Sequence, residues 1–143
     1  MQRRALRLAA AFAAATIPAA CSSDDAEPSA GGETITVQMT DNQYSPTSFD
    51  VEEGETVTFE FVNEGRMTHE AYIGDEGAQE DHATEMMGDD GHSMDMGGDD
   101  TVTVEPGETA TMTHTFSETG AMVIGCHQPG HWESGMKAMV NVG

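Results

Sequence analysis

Apolar residues in this chain come in short runs that alternate with polar ones. Ile35, Val37 and Met39 are separated by polar neighbours, and Val57, Phe59 and Phe61 repeat the pattern after the turn at Glu53-Gly54. A period of two sets one face against a core and the other in water, as half-buried strands require. Further strands are predicted around Ser48 to Val51 and over His69 to Ile73, Thr101 to Val104, Thr109 to Phe116, Ala121 to Cys126 and Met136 to Val142. About eight short strands, with Gly or Pro at most junctions and no long helical period, predict an all-β fold, a β-sandwich. His114 shares a strand face with Ala110, Met112 and Phe116, so it is expected to point inward as a packed, hydrogen-bonded histidine rather than a ligand.

Two stretches depart from the alternation. Residues 1–20 begin with Arg3, Arg4 and Arg7 and continue into an alanine-rich run, Leu8 to Ala15, too short to span a bilayer, which is the pattern of an export signal. The junction Ala19-Ala20-Cys21 resembles a bacterial lipobox, although Pro18 stands where an aliphatic residue is usual. It predicts lipidation of Cys21 and anchorage at the outer face of the cell membrane; the alternative is ordinary cleavage, with Cys21 free or bridged to Cys126. Residues 21–32 then read as a flexible tether, and residues 33–143 as one domain. Inside that domain an insert, 74–100, carries DEGAQEDHATEMMGDDGHSMDMGGDD, with no aromatic and no β-branched residue except Thr84. Such a segment cannot build a core and is expected to be disordered.

Charge narrows the partners. The chain has 26 acidic and five basic residues, a net charge of -21, and removal of residues 1–20 leaves Arg66 and Lys137 against all 26 acids, or -24. Nucleic acid is an implausible partner for such a surface. A partner protein with a basic face, or a metal cation, would be attracted at low salt. The same acidity also serves solubility or tolerance of high salt.

The candidate chemistry lies in GCHQPGHWESGM, Gly125 to Met136, where Cys126, His131 and Met136 recur at five-residue intervals and Pro129-Gly130 turns the chain between the first two. Thiolate, imidazole and thioether together favour copper over hard cations. Zinc is the rival, but structural zinc sites draw on closely spaced cysteine or histidine pairs such as C-x2-C, which this chain lacks. Two histidines and a cysteine with a weak axial methionine form the ligand set of a blue copper site. The second histidine is assigned to His69, at the start of a strand-like run just after the turn containing Gly65. Met139 is the fallback axial ligand, although its strand phase is opposite to that of Met136, Ala138 and Val140.

From about Glu33 to Gly143 the chain resembles the cupredoxins, the plastocyanin and azurin family, and its loop spacing looks most like that of rusticyanin. The residues that carry the resemblance are the N-x-G-x-x-x-H run from Asn63 to His69 and the CHQPGHWESGM loop. It implies a Greek-key β-sandwich, a mononuclear type 1 copper and electron transfer through the exposed edge of His131. Many family members follow the first ligand histidine with a small polar residue that ties the two ligand loops together; here that position is Glu70. His127, next to Cys126, resembles the histidines that wire a blue site to a catalytic copper in multicopper oxidases and copper nitrite reductases. The histidine count excludes a trinuclear centre, and one cysteine in the loop excludes the two-copper centre of cytochrome oxidase. No Ser-His-Asp set, phosphate-binding glycine loop or basic patch is evident.

Two functions of different class follow. One is a monomeric, non-enzymatic carrier of single electrons outside the cytoplasm, with copper on His69, Cys126, His131 and Met136 and a redox protein as partner. The other is an extracytoplasmic protein that stores or delivers Cu(I). Its collector would be the insert, with a second, weaker Cu(I) site drawn from His82, Met86, Met87, His92, Met94 and Met96.

Overall fold

The alternating pattern becomes nine strands, joined by one helix, in a computed structural model that describes residues 32–87 and 100–143. The export segment, Cys21, most of the tether, and the part of the insert with His92, Met94 and Met96 lie outside the described residues. The strands are β1 (Thr34–Thr40), β2 (Gln43–Ser45), β3 (Ser48–Val51), β4 (Thr56–Asn63), β5 (His69–Gly74), β6 (Thr101–Val104), β7 (Thr109–Thr115), β8 (Gly120–Gly125) and β9 (Lys137–Val142). They form two sheets, ordered β2-β1-β4-β7 and β3-β9-β8-β5-β6. Parallel pairs, β1 with β4 and β3 with β9, sit among antiparallel ones, as crossings between the layers of a sandwich produce.

Each layer contributes its inward residues to one core. Val57, Phe59 and Phe61 of β4 are wholly buried, and Phe59 touches Phe61 and Phe116 in its own layer and Phe49 of the opposite one. On the outer face of the first sheet, threonine hydroxyls pair across β4 and β7, Thr56 with Thr115 at 2.8 Å and Thr58 with Thr113 at 3.0 Å. Cross-strand pairs of this kind stabilise a sheet face left to solvent. His114 is half-buried and bonded to Asp100 Oδ1 at 2.7 Å, as its strand phase predicts.

The sequence reading needs two corrections. Gln43–Ser45 is a strand too short to show alternation, with Tyr44 as its one buried residue. More consequential, the first part of the insert is not disordered: α1 (Glu76–Met86) is a helix capped by Asp75, whose carboxylate accepts from the Ala78 N–H at 2.8 Å. Asp75 as cap and Glu76 in the first turn satisfy orphan amide groups and the helix dipole. Its one fully buried residue is Gln79, so α1 attaches by polar contact rather than by an apolar stripe. It lies against β5 and β8, which is why β5 is buried on both faces.

Candidate metal centre

The first ligand loop is built by Asn63, at the end of β4. Its side-chain amide donates to the carbonyls of Met67 at 2.8 Å and Val104 at 2.9 Å, while its Oδ1 accepts from the Gly65 N–H at 2.9 Å. A buried asparagine thus closes the turn that delivers His69 to the start of β5. Gly65 has no room for a side chain: a Cβ there would lie 2.8 Å from Asp41 Oδ1 and 3.1 Å from His69 Nε2. Asp41, in the β1–β2 turn, holds this loop by accepting from the Arg66 N–H at 2.9 Å, and that bond keeps its carboxyl below the usual range.

The second ligand loop braces itself. His131 N–H donates to the Gln128 carbonyl at 2.9 Å, closing a turn over Pro129 and Gly130, whose φ of 82° is the left-handed conformation a type II turn needs. Met136 N–H returns to the His131 carbonyl at 3.0 Å, and Cys126 N–H to the Met136 carbonyl at 3.2 Å. The loop is thereby clamped at both ends. Cys126 and Met136 have no exposed surface and belong to the same core as Phe59.

These loops bring three donors to one point. His69 Nδ1 and His131 Nδ1 are 3.3 Å apart, Cys126 Sγ is 3.3 Å from His131 Nδ1, and all three atoms lie within 4.8 Å of one another. Among the described residues no other group of three histidine, cysteine or acidic side chains converges in this way. Burial pushes the Cys126 thiol above its ordinary range, partly opposed by hydrogen bonds from the Glu70 and Gln128 amides. Burial and the neighbouring His131 push His69 down, which keeps that imidazole neutral and ready to ligate. A buried thiol beside two imidazoles suits a thiophilic cation that displaces the thiol proton. Two converging Nδ1 atoms and a sulfur are a donor set that copper fits.

Other histidines lie behind this point, on the outer face of the second sheet. His127 is 8% exposed, stacks on Trp132 at 4.6 Å, and shares a hydrogen bond of 2.8 Å with Gln79 Oε1 of α1. Because the Gln79 amide donates to the Tyr72 and Val123 carbonyls, its oxygen is the acceptor and the proton sits on His127 Nε2. Burial lowers the His127 pKa to about 4. Gly125 makes the packing possible, since a Cβ there would lie 2.5 Å from Gln79 Oε1 and 2.6 Å from the Trp132 ring. His82 stacks on Tyr72 at 4.1 Å and bonds Glu70 Oε1 at 3.0 Å, which commits its Nε2. Of the other residues named for a second Cu(I) site, Met86 is half-buried and Met87 is exposed at the end of α1, while His92, Met94 and Met96 lie outside the described residues.

Two further expectations change. Met139 points outward at 42% exposure, which removes it as an axial ligand. His131 is only 6% exposed, so the free edge implied for it is narrow. Sequence reasoning missed Tyr44, whose hydroxyl donates to the Glu70 carbonyl; its lone place in a three-residue strand gave no signal.

Among solved structures, a dithionite-reduced auracyanin from Roseiflexus castenholzii aligns with a TM-score of 0.67 at 24% identity, covering 79% of this chain and 98% of its own. Auracyanin A, a blue copper protein from Chloroflexus aurantiacus, aligns at 0.58 with 19% identity, covering 77% of this chain and 99% of its own. A curated relative, the copper-resistant cuproprotein CopI of Pseudomonas aeruginosa, is 38% identical over 53 residues. That stretch is 37% of this chain and 29% of CopI, so the chain matches under a third of that relative's length. The cupredoxin-like domain family matches residues 8–126, most of the sequence. This chain belongs to the cupredoxin-like domain family, and copper is the metal that its family and its donor set imply.

Proposed function

We propose that this protein carries single electrons outside the cytoplasm through one type 1 copper. The observation that supports the reading most is the meeting of His69 Nδ1, His131 Nδ1 and Cys126 Sγ within 4.8 Å at one end of the sandwich. His69, Cys126 and His131 would hold the metal, with Met136 as a further, weaker donor. Copper would supply a one-electron couple. The chain's part is to keep the ligands in one arrangement for both oxidation states, and loops clamped by Asn63 and by the Met136–His131–Cys126 bonds do that. The burial of Cys126 and His69 excludes water, and the His131 edge is where an electron would leave. A redox protein with a basic docking face suits the acidic surface, and its association is expected to weaken as salt rises.

The test is the colour of the copper(II) protein. An intense visible band from thiolate charge transfer is expected, whereas a colourless but copper-saturated protein would remove the type 1 assignment. Met136→Leu should keep the band and raise the potential, because a donor that favours Cu(II) is lost; an unchanged potential would remove Met136 from the ligand set.

The similarity to CopI, named for copper resistance, favours a second reading in which the chain stores or delivers copper. Rapid redox cycling with a cytochrome but no copper transfer to a chelator would support the carrier, and the reverse the copper handler. In either case we place the domain at the outer face of the cell membrane through lipidated Cys21. Cys21→Ser should release it or leave it unprocessed, and an unlipidated wild-type protein would overturn the anchor.

A further inference from the structure

Glu70 is a carboxylate only 5% exposed, and it links the strand that carries His69 to the Cys126 loop and to α1. Its backbone N–H points at Cys126 Sγ at 3.4 Å, and its carbonyl accepts from the Tyr44 hydroxyl. Its Oε2 accepts from the His127 N–H at 3.2 Å, and its Oε1 bonds His82 Nε2 at 3.0 Å. A buried carboxylate is costly unless donors meet it, and here one donor comes from the Cys126 loop and the other from α1. Because a carboxylate only accepts, the His82 proton sits on Nε2 and points at Glu70. Gln79 of α1 grips the same loop from the other side through His127 Nε2. The helix thus reaches the centre through two polar side chains, and its apolar residues contribute little.

Resting on the type 1 reading above, we propose that Glu70 is a positioning residue through which α1 tunes the centre. Its carboxylate fixes the backbone beside Cys126 and places a negative charge next to both ligand loops. His82 offsets part of that charge. A fixed negative charge nearby favours the more positive oxidation state, so Glu70 lowers the potential and the His82 N–H dipole raises it. A role confined to packing would give no reason for opposite signs.

The experiment uses the full chain, with voltammetry of the copper-loaded protein and amide exchange of the copper-free one. Glu70→Gln keeps an acceptor for the His127 N–H but loses the charge. It should raise the potential enough to cut the oxidised-to-reduced ratio at a fixed poise about tenfold, or about 59 mV for one electron. His82→Phe can keep the stack on Tyr72 while removing the donor, and it should shift the potential the opposite way. In the copper-free protein Glu70→Ala should speed exchange of the His127 amide at least tenfold, with His82→Phe leaving it near the wild-type rate. Shifts of the same sign in both variants, or none, overturn the tuning role while leaving a blue wild-type protein as evidence for the type 1 reading. An unchanged His127 amide in Glu70→Ala overturns the positioning role whatever the metal does. If Glu70→Gln does not fold, the sign of the His82→Phe shift decides alone, because a shift upward or none contradicts the proposal.

Discussion

Cys126→Ser is expected to abolish the visible band of the copper(II) protein and to weaken copper binding by more than about 100-fold, beyond what loss of a supporting partner costs. The fold should survive. Cys126 is fully buried, but serine is nearly isosteric, and its hydroxyl stands where the Glu70 N–H already offers a hydrogen bond. The cost of burying it is on the order of 1 kcal/mol. The remaining core, from Val37 to Val142, is untouched. Absorbance, copper titration and thermal unfolding of the same preparation separate the two effects. A variant that keeps the band would mean that the colour does not come from this thiolate, and one that fails to fold would mean that the thiol is structural.

The difference between what the sequence disclosed and what it hid follows from how each element is held. β4 was legible because from Thr56 to Phe61 apolar inward residues alternate with polar outward ones, a pattern written in the residues themselves. The ligands were legible for a different reason: thiol, imidazole and thioether have few other uses at such close spacing in a short loop. α1 was not legible, since it buries Gln79 instead of an apolar stripe and binds the sheet through hydrogen bonds that no period encodes. Its one local signal was Asp75 ahead of a run of helix formers. The partners of His82, Glu70 and Tyr72, were hidden for the same reason, because they are ten or more residues away on another element. Glu70 itself appeared only as a departure from the family pattern. Its two carboxylate oxygens do in three dimensions what the small polar residue is expected to do, and also recruit the helix.

Phe59→Ala is expected to be the most damaging substitution for stability. Phe59 has no exposed surface and sits between the layers, with ring centroids 5.6 Å from Phe49, 6.0 Å from Phe61 and 6.3 Å from Phe116. Removing a buried phenyl ring costs about 3–5 kcal/mol through lost transfer energy and the cavity left behind. Three aromatic contacts place this site toward the upper end, since each such pair adds about 0.5–1.5 kcal/mol beyond area. For a domain of this size that lowers the unfolding midpoint by roughly 15 °C or more. The metal centre should be spared in the molecules that remain folded. Phe59 lies four residues before Asn63, about 13 Å along the strand at the usual rise, and Asn63 anchors the first ligand loop through its own bonds. The expected result is therefore a large loss in chemical denaturation with an unchanged visible spectrum. A loss below about 1 kcal/mol would show that the sandwich relaxes to fill the cavity, whereas a shifted band would show that the core and the ligand loops are coupled along β4 more tightly than their separate hydrogen bonds imply.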